Sequence, residues 1–336
     1  RQLMKQILST FAALLIVGCH SLETTDSVIG QSPANSQSIQ VEKAPVFIPL
    51  TKIELPTQNE KSAHIEKKIT VFGINVFALE GVTDRDLKLV AHVLAQWIDN
   101  NEDGTPDNPA VLAEIVRQKS RMILGVTFDQ IGPWHEHSQG ILKYPHAPTY
   151  GLDVTTINHN WYGLPLSEYS QDHYLKEGLL PPDATTEETF HLITDVGYAS
   201  VYPSIFWHGE VGSNPSEALR SYIAKRGEGQ KGASMLTEAM DKARGGYFKH
   251  MPNQYPDNAW YTRSDDCGYK CFVGEYIHWG MITLVGLNET RQEGILDQWQ
   301  IRNAQSMLNR DPGLYGLLTN AEYNFPNTAP DGSYGD

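Results

Sequence analysis

Three cysteines in 336 residues are too few to staple a disulfide-dense fold. Cationic side chains are also scarce. There are 26 Lys and Arg against 40 Asp and Glu, a formal net charge of -14. Phosphate backbones need a basic face, so nucleic acid is excluded as a partner. No G-x-S-x-G elbow, phosphate-binding loop or dinucleotide glycine fingerprint occurs, which sets aside serine-hydrolase, nucleotide and NAD chemistry. Internal repeats and a regular βαβ alternation are missing too. What remains is 40% hydrophobic, with seven Trp and sixteen Tyr, enough for a substantial core in one large domain or two ordinary ones.

The apolar run near the start, "ILSTFAALLIV", is too short to span a bilayer but suits the centre of a signal peptide behind the basic "RQLMKQ". Ile16-Val17-Gly18-Cys19 resembles a bacterial lipobox. That resemblance implies a signal peptide over 1–18, acylation of Cys19 (palmitate among the chains) and export to the cell envelope with a lipid anchor in the membrane. The competing reading is a plain secretory signal with an incidental cysteine. Without Asp beside Cys19, outer-membrane sorting is expected if the host is Gram-negative. Residues 19–45, rich in Ser, Thr, Gln and Pro, read as a disordered tether. In an oxidising compartment Cys267 and Cys271 can pair as a disulfide; a C-x-x-x-C half zinc site is the alternative.

Residues 46–336 are expected to form one domain. "KKITVFGINVFAL" alternates as a strand does. Thr83 caps a helix with Leu87, Val90, Ala91, Leu94 and Ile98 on one face. Asn108-Pro109 opens a second helix. "RMILGVTF" is a short strand, and residues 132–163, which include His135 and His137, read as an aromatic loop. Helices follow near Thr185, Ala218 and Ser234, and "CFVGEYIHWGMITLVG" is a long buried one. The fold class is therefore α+β and helix-dominant, with a small N-terminal β/α portion.

Between the first two helices, Asp99, Asn101, Asp103, Gly104, Thr105 and Asp107 occupy positions one, three, five, six, seven and nine of an EF-hand-like loop over 99–110. Alternating oxygens there can converge on calcium. Position twelve is Ala110, so Glu114 is the candidate to complete the shell. The competing reading is a polar connector.

"TTEETFHLIT" carries Glu187, Glu188 and His191. On a helix, residues four apart share a face, so Glu187 and His191 can hold zinc or another divalent metal while Glu188 acts as general base. The same residues also suit an ordinary acidic helix start.

The wider layout resembles the gluzincin metallopeptidases related to the anthrax lethal factor catalytic domain, giving a zincin-like domain. "GVTDRDLKLVAHVLAQWI" resembles that family's early helix and "RMILGV" the strand after it. "TYGLDVTTINHN" takes the place of the loop before the metal helix. "EETFHLIT" stands for H-E-x-x-H, "GEYIHWG" for the helix of the third ligand, and "NRDPGLYGLLTNAEY" for the closing segment. The resemblance implies peptide or protein hydrolysis, with Glu188 as base and Glu187, His191 and Glu275 as metal ligands. It departs at the first ligand, where the family has histidine and this chain has Glu187. Glu217, in "NPSEALRSY", is a rival third ligand at thermolysin-like spacing. Two further classes remain: a degenerate, non-catalytic envelope lipoprotein, and a di-iron carboxylate bundle. The bundle would use the pairs Glu188/His191 and Glu275/His278 with Glu217 and Glu238.

Overall fold

The computed structural model describes residues 52–138, 141–144, 147–157, 162, 183–210, 214–226, 231–289 and 298–335. Cys19, the signal segment and the tether lie outside the described residues. After the one-turn helix α1 (Gln58–Ser62), the alternating stretch forms a hairpin, not the single strand its pattern predicts. Strands β1 (Lys67–Val71) and β2 (Ile74–Ala78) pair antiparallel, with Val71 opposite Ile74. The two turn residues, Phe72 and Gly73, have φ of 47° and 89°. A two-residue turn with both φ positive matches the twist of its strands, and Gly73 meets that need without strain.

Helix α2 (Asp84–Ile98) starts where Thr83 accepts the Asp86 N–H at 3.1 Å. Helix α3 (Pro109–Arg117) starts where Asn108 accepts from Val111. Strand β3 (Arg121–Gly125) then lies parallel to β2. Helix α4 (Phe128–Ser138) begins at the end of the stretch read as strand and runs into the segment read as loop, which also holds strand β4 (Thr149–Asp153), parallel to β3. His135 and His137 therefore lie on a helix.

The sheet order is β1-β2-β3-β4. Successive side chains alternate faces. Phe77 and Ile123 meet Ile131 and Trp134 of α4 on one side. Val76, Ala78, Met122 and Leu124 point to the main core on the other. That core runs from Ile69 to Tyr334 and includes α5 (Ala184–His191), α7 (Met235–Ala243), α8 (Tyr269–Leu284), α9 (Ala304–Arg310) and α10 (Pro312–Thr319). Helix α6 (Glu217–Arg226) buries only Leu219. The fold is α+β and helix-dominant, with the four-stranded sheet in its N-terminal part.

Two helices position the site. Asp183 caps α5, accepting the N–H groups of Thr185 and Thr186 at 3.4 and 3.3 Å. Trp97 on α2 donates to the Thr186 carbonyl and packs on Phe190, at 5.3 Å between ring centres. Helix α8 is apolar nearly all round and buried on every side. It packs against α5, α7, α9 and α10. Among the described residues, no helix is long and apolar enough to cross a membrane.

Candidate metal centre

Glu187 and His191 are four apart on α5, and Glu275 reaches them from α8. His191 Nε2 lies 3.9 Å from Glu187 Oε1 and 3.7 Å from Glu275 Oε1. These are ion-pair separations, too long for hydrogen bonds. His191 is 1% exposed, Glu275 8% and Glu187 28%, so the cluster meets solvent on the Glu187 side. All three donor atoms lie within 4.8 Å of one another, and no other such trio of His, Cys, Asp or Glu exists among the described residues.

The donor set fits a divalent cation. Ligands ~2.1 Å from a tetrahedral ion stand roughly 3.4 Å apart, so closing the two gaps to His191 takes a few tenths of an ångström. Both His191 nitrogens are buried without a hydrogen-bond partner. A buried polar atom so placed calls for a ligand or water. The spacing is zincin-like, with a carboxylate in place of the first imidazole.

The charges around the cluster are strongly coupled. Burial pushes the Glu188 carboxyl up to about 8, with Glu187, Glu275 and Asp195 adding to the shift and His191 opposing it. Burial disfavours the His191 cation, but Glu187, Glu275 and Asp195 outweigh it and hold the imidazole above its usual value. For Glu275 burial also works against charge, yet Arg263, His191 and His278 hold it well below the carboxylate range. Glu188 is not one of the donor trio.

Four neighbours have no counterpart in the sequence reading. Arg263 Nη1 lies 3.0 Å from Glu275 Oε2. Asp195 Oδ1 lies 3.4 Å from His208 Nδ1, and both are buried. Burial lowers His208 to about 4, so it is neutral. Burial raises the Tyr150 hydroxyl, as do Asp195 and Glu188. Asp195 continues the series 187, 191, 195 and could have been found by extending it. The helix winds there as a π-helix, Leu192–Tyr198, a form that clusters at functional sites. Arg263 and His208 sit in coil, with no periodic signal.

The rival and bundle arrangements do not assemble. Glu217 is exposed at the start of α6, and Glu238 is exposed on α7. Only the two E-x-x-H pairs meet, with the His191 and His278 rings 5.6 Å apart. A four-helix di-iron site is thereby overturned: its two single carboxylates face solvent, because α6 and α7 bury their apolar residues instead.

In the acidic loop, Asp99 accepts from Gly104 N at 2.8 Å, Asp103 N at 3.3 Å and the Tyr334 hydroxyl. Asp103 accepts from Thr105 N and from the Asn101 amide. Asp107 accepts from Asn100 N. Glu114 does not complete a shell, because Arg117 and Gln118 hold it at 2.7 and 2.8 Å. Cys267 and Cys271 are joined as a disulfide.

The fold and site together define an α+β chain with a buried Glu-His-Glu centre able to hold a divalent metal. Compared with known proteins, no family model, no curated protein and no solved structure matches the chain.

Proposed function

We propose that this chain is a metal-dependent hydrolase of the metallopeptidase kind, anchored at the cell envelope through Cys19. Glu187, His191 and Glu275 hold one divalent ion, zinc by preference for a mixed nitrogen and oxygen set. The observation that carries the reading is the convergence of those donors on His191 Nε2, a buried nitrogen with no hydrogen-bond partner. Once bound, such an ion supplies Lewis acidity toward a carbonyl and lowers the pKa of water. Glu188 takes the proton from the attacking water and returns it to the leaving amine of a peptide bond. Its carboxyl, pushed up to about 8 in the metal-free chain, is brought down by a nearby positive charge into the range where it accepts a proton.

Purification without chelator should return about one zinc per chain, and the protein should cleave members of a broad peptide library. Glu188→Gln should abolish cleavage while leaving metal content and melting temperature unchanged. Metal-free protein, or full activity in Glu188→Gln, removes the reading. Incorporation of labelled palmitate, lost in Cys19→Ala, tests the anchor. The disulfide Cys267–Cys271 supports an oxidising compartment.

A second reading, a non-catalytic binding protein, is favoured by one observation. Arg263 and the His191 cation already neutralise Glu275 without a metal. A metal-loaded protein inert toward the whole library would select it.

A further inference from the structure

Glu275 has a charged neighbour at each of its oxygens. Oε1 faces His191 Nε2 at 3.7 Å, whereas Oε2 pairs with Arg263 Nη1 at 3.0 Å. The guanidinium is itself fixed, since Nε and Nη2 donate to Asp265 at 3.2 and 3.1 Å. Arg263 and Glu275 are each 8% exposed, so little solvent screens the pair.

The coil carrying Arg263 is tied down at both ends. Upstream, Tyr261 bridges to Trp299 and its hydroxyl donates to the Phe272 carbonyl at 2.8 Å. Downstream, the disulfide joins Cys267 to Cys271 on the first turns of α8. Cys271 and Glu275 are four apart, so the cross-link and the carboxylate lie on one face of that helix. The coil is therefore pinned one turn before the residue that Arg263 holds.

We infer that Arg263 is a positioning residue for the metal centre: by occupying Oε2 it makes Glu275 a one-oxygen ligand whose Oε1 is aimed at the site before any cation arrives. This rests on the metal reading above. A carboxylate free to rotate can offer two oxygens to a cation or turn away. One held by a forked guanidinium loses that freedom ahead of binding. Partners of this kind orient ligands, and removing one typically weakens metal binding about 10- to 100-fold. A cation repelled by a nearby guanidinium would instead bind more tightly once the arginine is gone, so the sign of the effect discriminates.

The test measures zinc affinity by competition with a chromophoric chelator, and the visible spectrum after cobalt(II) substitution, in the full chain. Arg263→Met is expected to lose zinc affinity about 10- to 100-fold. Its cobalt bands should weaken as Glu275 swings to two-oxygen ligation. Arg263→Lys should recover much of the affinity through its charge, but not the wild-type spectrum. If Arg263→Met does not fold, Asp265→Asn, which frees the guanidinium from behind, should still lose affinity several-fold. Equal or tighter zinc binding in Arg263→Met, or in Asp265→Asn where it stands in, overturns the inference. An unchanged cobalt spectrum does so too. A wild type that binds neither zinc nor cobalt removes the metal reading itself, and this inference with it.

Discussion

Gly274 lies against the imidazole of His191: a Cβ at 274 would stand 3.4 Å from Nδ1 and 3.5 Å from Cε1. Alanine fits at that contact, but a longer side chain does not. Gly274→Ala should keep metal affinity within about threefold, whereas Gly274→Leu should push His191 off the donor trio, overpacking the helix contact by ~1–3 kcal/mol. Chelator competition and thermal melts check both. Gly274→Leu with wild-type affinity would show that His191 is not a ligand.

The metal-free protein should lose stability as pH rises. Glu188, usually 4.5, is raised to about 8 in the fold, and His191 is raised above its usual 6.5. The folded chain thus holds protons that the unfolded chain has released, so unfolding free energy falls with rising pH through those windows. Glu275 acts oppositely, and its contribution disappears only as pH falls below 4.5. Chelated protein should melt lower at about pH 8.5 than at about pH 6. The metal-loaded form should show the reverse, because ligands bind deprotonated. A chelated form that melts higher at the alkaline end contradicts the arrangement.

Asp311 ties three elements together. It accepts from Trp260 Nε1 at 2.9 Å, the Tyr276 hydroxyl at 2.6 Å and the Leu314 N–H at 3.1 Å. Asp311→Ala should cost about 2–4 kcal/mol, combining a lost helix cap with buried donors left unmet. Asp311→Asn, which keeps an acceptor, should cost about half as much. Urea denaturation measures both, and a loss below about 1 kcal/mol would discount the network.

If the Asp99–Asp107 loop takes calcium, the ion should raise the melting temperature. Burial lifts the Asp107 carboxyl, and repulsion from Asp99 and Asp103 adds to the shift. A cation there would relieve the repulsion among the three carboxylates. The effect should vanish in Asp103→Asn. Titration heat and melts that do not respond to calcium would leave the loop as a connector, held by Tyr334 and its own N–H groups.

Where side-chain chemistry marks a boundary, the fold was legible. Thr83 and Asn108-Pro109 announce their helices, because caps act within one turn. The hairpin was not, since Phe72 in a left-handed turn looks like one more strand residue. Helix α4 was hidden by Pro133 in its interior and by the aromatic, histidine-rich composition around it. At the site, the spacing of Glu187 and His191 placed them on one helix face, and the flanks of Glu275 separated it from Glu217. Arg263 was invisible: it lies in coil and reaches Glu275 only through the tertiary path that Tyr261 and Cys267 fix.

The π-helix Leu192–Tyr198 makes the site depend on residue count as well as residue type. It holds one residue more than α-helical winding would place in that length. Deleting one would let α-helical winding span the same length, leaving downstream elements in place and changing the faces of the side chains within the stretch. Asp195, inside the stretch, would then part from His208, now 3.4 Å away. A scan of single-residue deletions through this stretch would therefore disturb the surroundings of His191 while sparing the elements beyond it.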